Sequence, residues 1–206
     1  MYRPAAFDMT DETEIADFID AANAAHLVTL GNAGLVSSFL PLLLDRKSNS
    51  LVGHLARANP QWRDVTEGVD ALAIFSGPDA YISPSFYPTK METGKVVPTW
   101  NYEVVHATGR LVIHDDVEWV TDLVTRLTER HESTRAEPWS VDDTPPGFMK
   151  SMTKAIVGVE VCDVRLEGKR KLSQNRNDAD IEGTIAGLSI GTDDERALAA
   201  AMRRRR

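Results

Sequence analysis

Apolar residues follow a helical period in some stretches of the chain and alternate as strands do in others. Over 11–23, Ile15, Phe18, Ile19 and Ala22 fall on one helical stripe, and Asp11 with Glu14 forms an N-terminal cap pair, which predicts a short amphipathic helix. Residues 26–30 and 35–44 read as strands on either side of Gly31-Asn32-Ala33-Gly34, a turn sequence whose glycines tolerate positive φ. A polar turn over 45–50 leads to a strand over 51–55, so this region is an antiparallel meander. A brief helix from Pro60 precedes a strand over 71–76, after which Gly77-Pro78 turns the chain into Tyr81-Ile82 and a loop rich in Pro and aromatic residues. A further strand covers 104–113. Val117, Val120, Leu123, Val124 and Leu127 then recur at helical spacing, predicting a helix over 117–130 with one apolar face on the sheet. Residues 137–147 form a loop, 156–166 a β-branched strand that closes the sheet, and the chain beyond Asn177 carries helical pieces around Ala186 and Leu198. The fold class expected is mainly β, a small antiparallel barrel with helices on its outside. With no internal repeat and no low-complexity linker, residues 1–206 read as a single domain with a helical C-terminal extension from about 177.

Composition narrows the function classes. A chain of 206 residues supports one well-buried core. No apolar run approaches the roughly 20 residues a membrane helix needs, and Met1-Tyr2-Arg3-Pro4 lacks the order of a signal peptide, so the cytoplasm is the expected location. The lone Cys162 lies in an apolar run and reads as a buried thiol. A net charge of −8 disfavours a broad grip on nucleic acid. Basic residues cluster at Lys169, Arg170, Lys171 and Arg176, and again in Arg203-Arg204-Arg205-Arg206, which reads as a frayed, solvated tail.

Four polar-aromatic runs break the binary pattern of their surroundings: residues 53–62, 77–87, 97–102 and 171–176. Arg, Asn, His, Trp, Tyr and Pro side by side at element ends suit ligand binding better than either a core or a surface. Arg57 and Asn59, just before the helix-starting Pro60, offer fixed positive charge and free N–H donors, which points to a phosphate. Trp62, Tyr81, Phe86, Tyr87, Trp100 and Tyr102 supply aromatic surface on which a flat heteroaromatic ring would stack, although filling a core accounts for Trp62 equally well. No metal is expected, because Arg135 stands where a His131-Glu132 zinc helix would need its second histidine, and His26, His54, His106 and His114 lack ligand spacing. Dinucleotide, P-loop, serine-hydrolase, helix-turn-helix and zinc-finger signatures are missing from the sequence.

These runs resemble a known family. Gly53-His54-Leu55-Ala56-Arg57-Ala58-Asn59-Pro60-Gln61-Trp62, Gly77-Pro78 with Tyr81-Ile82-Ser83-Pro84-Ser85, Val97-Pro98-Thr99-Trp100-Asn101-Tyr102 with Val105-His106, and Gly168-Lys169 with Lys171-Leu172-Ser173-Gln174-Asn175-Arg176 are similar to the signature of the PaiB family. Met1-Tyr2-Arg3-Pro4 and Ile156-Val157-Gly158 fit it too, so the resemblance covers nearly the whole chain. It implies an FMN-binding split barrel, a homodimer with FMN at the subunit interface, and negative regulation of transcription of the kind that represses protease synthesis and sporulation. Two positions depart from the expected pattern. Phe86 stands in place of Trp, keeping an aromatic face but losing an N–H donor, and Phe39 stands in place of His, removing a titratable group.

On this reading the cofactor is FMN, with Arg57 and Asn59 near its phosphate and Tyr81, Ser83 and Trp100 near its ring. His54 and Asn101 join the cofactor site, and Lys171, Gln174 and Arg176 contribute from the C-terminal segment. Two functions compete. One is a flavin-binding regulator that contacts DNA or a regulatory protein, with Lys169, Arg170, Lys171 and Arg176 either as its contact surface or as the charges that neutralise the flavin phosphate across the dimer. The other is an FMN-dependent reductase or oxidase of a small molecule, in which His54, Tyr102 and His106 are candidate proton handlers.

Overall fold

The computed structural model describes residues 1–32, 34–65 and 68–205. In chain order its elements are β1 (Asp8–Met9), α1 (Glu12–Ala22), β2 (Ala24–Gly31), β3 (Gly34–Asp45), β4 (Ser50–Ala56), β5 (Asp70–Ile82), α2 (Thr89–Thr93), β6 (Thr99–His114), α3 (Val117–Glu132), α4 (Phe148–Thr153), β7 (Ile156–Lys171), α5 (Asp178–Ser189) and α6 (Asp193–Arg204). Short 3-10 turns cover Ala5–Phe7, Pro60–Trp62, Pro84–Phe86 and Val141–Asp143. The strands hydrogen-bond in the order β1-β7-β4-β3-β2-β5-β6, and β7 also pairs with β6, so β2 to β7 form a closed ladder with β1 attached to β7. The expected mainly β class is therefore the observed one. No helix among the described residues is long and apolar enough to cross a membrane.

The chain divides into two units: residues 19–75 with 106–166, and residues 1–18 with 76–105 and 167–206. In the first, β3 and β4 pair antiparallel with Leu43 opposite Val52, and β4 pairs β7 with Val52 opposite Glu160 and His54 opposite Gly158. Alternation assigns Leu42, Leu44, Leu51, Leu55, Val157, Val159 and Val161 to one face, where all are buried. The opposite face carries Leu43 and Val52, on which α3 lays Leu123 and Leu127. Asp116 caps α3 by accepting the Trp119 N–H at 2.8 Å, and the apolar period seen in the sequence is the period that packs. Each such aliphatic side chain, once buried, contributes about 1.5–3 kcal/mol. Gly158 admits Trp119, whose ring would lie 2.2 Å from a Cβ there. The expected 31–34 turn falls partly outside the described residues, at Ala33.

The second unit is built on the C-terminal helix pair. Asn177 caps α5 and Thr192 caps α6 in a reciprocal capping box with Glu195. Ile185 and Leu188 of α5 and Leu198, Ala199, Ala201 and Met202 of α6 bury against Ala80, Ile82, Tyr87 and Leu172. Phe86 packs on α5 because Gly187 has no side chain: a Cβ there would lie 2.3 Å from the ring. Arg170 holds the unit's polar interior, bonding both Glu103 and Glu14.

Three expectations change. Gly77-Pro78 does not turn the chain; β5 runs through it unbroken, because a glycine there lets the Phe18 ring approach to 2.8 Å from the missing Cβ. The arginine tail is not frayed up to Arg205: α6 extends to Arg204, Arg203 bonds the Ser189 hydroxyl at 2.6 Å, and Arg205 lies 3.8 Å from Glu14. A helix C-terminus favours such cations, and Arg206 lies outside the described residues. Cys162 is partly exposed rather than buried, with its thiol pushed up mainly by what burial it has.

Candidate functional site

Tyr81 at the end of β5 and Trp100 at the start of β6 are half exposed, at 49% and 50%, and their rings meet edge to face with centroids 6.3 Å apart. An exposed aromatic pair of this size offers unused stacking surface. The Trp100 indole N–H donates to Asp79 Oδ1 at 2.7 Å, which fixes the ring. Asp79 and Tyr81 are two apart on one strand and so share a face.

Beside this pair stand cations. Lys171 Nζ donates to Thr99 Oγ1 and to the Trp100 carbonyl, both neutral acceptors. Its pKa is lowered first by burial and then by the charges of Lys169 and Arg176. Lys169 lies 5.4 Å from the ring centres of both Tyr2 and Tyr102, and Arg176 lies 4.5 Å from that of Tyr87. Among the described residues no carboxylate forms an ion pair with any of these three. Mutually repelling cations with no ion-paired carboxylate among the described residues, Lys171 and Arg176 partly exposed and Lys169 buried, form an anion-receptive cluster next to aromatic rings.

The remaining candidates of this unit shape it. Asn101 is fully buried, donates to the Ser173 hydroxyl at 2.9 Å, and leaves its own Oδ1 without a partner among the described residues. Ser173 adopts φ 65°, a left-handed conformation costly for a residue with a Cβ. Gln174 spans the same turn, donating to the Arg170 carbonyl and accepting the Leu172 N–H, each at 2.6 Å. Ser83 caps the 3-10 turn at Pro84–Phe86 by accepting the Ser85 N–H.

In the other unit, Arg57 makes four hydrogen bonds with a partly exposed side chain. Its two terminal nitrogens donate to Asp115 Oδ1 and Oδ2 at 2.5 and 3.0 Å, Nε to the Lys154 carbonyl at 2.6 Å, and Nη2 also to the Ile156 carbonyl at 3.1 Å. The bidentate pair raises the pKa of Arg57 and lowers that of Asp115. Asn59 donates to the Ser38 hydroxyl at 2.8 Å and accepts the Gln61 N–H at 3.0 Å. Trp62 donates to the Arg57 carbonyl. His54 lies in a groove with Pro41, Leu127, His131 and Trp139, and burial pushes its pKa down.

The structure thus brings Tyr81, Trp100 and Lys171 together with Arg176 nearby in charge, while Arg57 bonds Asp115, Lys154 and Ile156 and Asn59 bonds Ser38 and Gln61. Lys169, part of the basic cluster seen in the sequence, is two residues before Lys171 on β7 and shares its face. One participant was missed: Asp79 was hidden by reading Gly77-Pro78 as a turn.

A family profile described as "Putative FMN-binding domain" matches residues 1–162. The chain is 35% identical over 190 residues to "Protease synthase and sporulation protein PAI 2" of Bacillus subtilis, covering 91% of this chain and 89% of that one. Among solved structures it is similar to the flavocytochrome Anf3 from Azotobacter vinelandii, with a TM-score of 0.62 and 13% identity over 88% of this chain and 77% of that one. It is also similar to the FAD and heme binding protein from Mycobacterium smegmatis, with a TM-score of 0.59 and 17% identity over 87% and 80%. At those identities the likeness is one of fold, the split barrel. By sequence, the chain belongs to the PaiB family of FMN-binding domains.

Proposed function

We propose that this chain is an FMN-binding regulator of the PaiB type that acts as a homodimer and represses transcription. The observation that carries the flavin part is the trio Lys169, Lys171 and Arg176, without carboxylate partners among the described residues, beside the half-exposed pair Tyr81 and Trp100. A phosphate monoester brings two negative charges to such a surface and relieves the mutual repulsion of the cations. Bound FMN supplies a ring able to accept and return electrons. Lys171 holds the phosphate, Tyr81 and Trp100 stack on the ring, and Asp79 keeps the indole in place. Asn101, Ser173, Gln174 and Ser83 position these groups, while Arg57 and Asn59 brace the strand ends of their own unit.

Support for the dimer comes from β2 and β3. His26, Val28 and Leu30 stand opposite Phe39, Ser37 and Leu35 on one face, and Leu30, Leu35 and Phe39 are exposed at 58%, 78% and 68%. Contiguous exposed apolar side chains on a sheet face suit a self-complementary interface. The regulatory part rests on the family and on PAI 2, whose name ties it to protease synthesis and sporulation.

Four measurements test this. Fluorescence titration should show FMN binding at least tenfold tighter than riboflavin, and equal binding removes the phosphate anchor. Purified dimer should bind its own upstream DNA with an affinity that falls as salt rises. Absence of such binding together with unchanged transcripts in a deletion strain refutes the repressor. Sustained NADH or NADPH oxidation by FMN-saturated protein would put the oxidoreductase reading in its place.

A further inference from the structure

We propose that the groove between α3 and the outward faces of β3 and β4 binds a small neutral aromatic molecule of one or two fused rings that carries a hydroxyl donor. The groove is about 300 Å³, at the lower end of the roughly 300–1,000 Å³ typical of ligand sites. Its apolar wall is Pro41, Val124 and Leu127, which suits a ring held by burial. Trp139 lines it with an indole that is 46% exposed, so aromatic surface there is available for contact.

The polar groups set the chemistry. His54 and His131 both line the groove, and among the described residues neither their imidazoles nor the Trp139 indole N–H has a hydrogen-bond partner. Burial favours the neutral form of His54, which leaves one ring nitrogen as a bare acceptor for a hydroxyl. Charged ligands are disfavoured. Glu132, also on the lining, repels anions, and it already accepts the Trp139 backbone N–H at 3.2 Å and pairs with Arg135 at 3.0 Å, so a cation would compete with existing partners. None of these residues belongs to the Tyr81, Trp100 and Lys171 cluster, so the inference does not rest on the flavin reading.

The test uses the full chain, with and without FMN, and 2-naphthol as probe, titrated calorimetrically alongside 2-methoxynaphthalene, which has the same rings but no donor. Saturable one-to-one binding of 2-naphthol is expected, at least tenfold tighter than the methyl ether. His54→Phe should abolish that preference, and Thr128→Trp, which places a bulky side chain in the groove, should abolish binding of both. An unchanged circular dichroism spectrum and a thermal midpoint close to that of the native chain verify that Thr128→Trp is folded, and should His54→Phe not fold, the donor preference in the native chain and Thr128→Trp decide the matter. Lack of saturable binding, equal affinity for the two probes, or binding that survives Thr128→Trp overturns the proposal.

Discussion

Arg57 and Lys171 are both basic residues inside recognisable motifs, and the two units give them opposite settings. Arg57 donates four hydrogen bonds, two of them to Asp115, and its charge is compensated within its own unit. Among the described residues Lys171 donates only to neutral acceptors, and it is repelled by Lys169 and Arg176. A motif residue can therefore serve a ligand or build the frame that holds it, and its remaining hydrogen-bonding capacity and uncompensated charge separate the two. Removing a ligand residue should show in binding, and removing a frame residue should show in stability.

The sharpest break of this comparison is a pair of alanine substitutions. Lys171→Ala should weaken FMN binding by on the order of 10–100-fold, the worth of a charge-assisted hydrogen bond, with the thermal midpoint nearly unchanged. Arg57→Ala should lower the thermal midpoint while FMN affinity stays within about threefold. Fluorescence titration and thermal unfolding of both variants check this, and the reverse pattern would return the phosphate to Arg57.

A frame contact tested next is the glycine under Phe86. Gly187→Ala places a Cβ 2.3 Å from the Phe86 ring, and the ring must move within a packed cluster. Overpacking of this kind costs about 1–3 kcal/mol. Denaturant unfolding should show that loss, and Gly187→Ala combined with Phe86→Ala should recover part of it. A neutral Gly187→Ala would mean that Phe86 is free to move.

Ser173 sharpens the comparison inside the ligand-facing unit itself. Both Ser173→Ala and Ser173→Gly remove the hydroxyl that Asn101 bonds, but only alanine keeps a Cβ in the left-handed conformation at φ 65°. Ser173→Ala should therefore be less stable than Ser173→Gly by about 1 kcal/mol. Equal stabilities would show that the turn relaxes.

How far the sequence revealed this molecule follows the same division. Periodicity located α1, α3 and the β2 to β4 meander because one face of each is buried, and burial writes a regular pattern. It failed at Gly77-Pro78, where a residue pair with turn statistics lies inside β5 because Phe18 needs the space of a missing Cβ. The short α2 and α4 left no apolar period long enough to read. In the candidate site, Tyr81, Trp100 and Lys171 were legible as residue types out of place in a core. Whether Arg57 was free or engaged was not, since Asp115 and the carbonyls of Lys154 and Ile156 are distant in sequence and come to it only in the folded chain.

His54 gives the smallest effect and the finest distinction, because it is a motif residue in the same unit as Arg57 yet has no hydrogen-bond partner among the described residues. Burial disfavours its imidazolium, so its folded pKa lies below the ordinary 6.5. Above that value both folded and unfolded chains hold it neutral, and its contribution to stability is fully present. As pH falls through 6.5 the unfolded chain takes up a proton that the folded chain resists, so stability is lost until the folded pKa is passed. His54→Gln cannot take up that proton, and its stability should fall less than that of the native chain between pH 7.5 and 5.5. Denaturant unfolding of the two proteins at both pH values measures the difference. Parallel losses would mean that His54 is solvated in the folded protein, and it would then lose the open acceptor that separates it from Arg57.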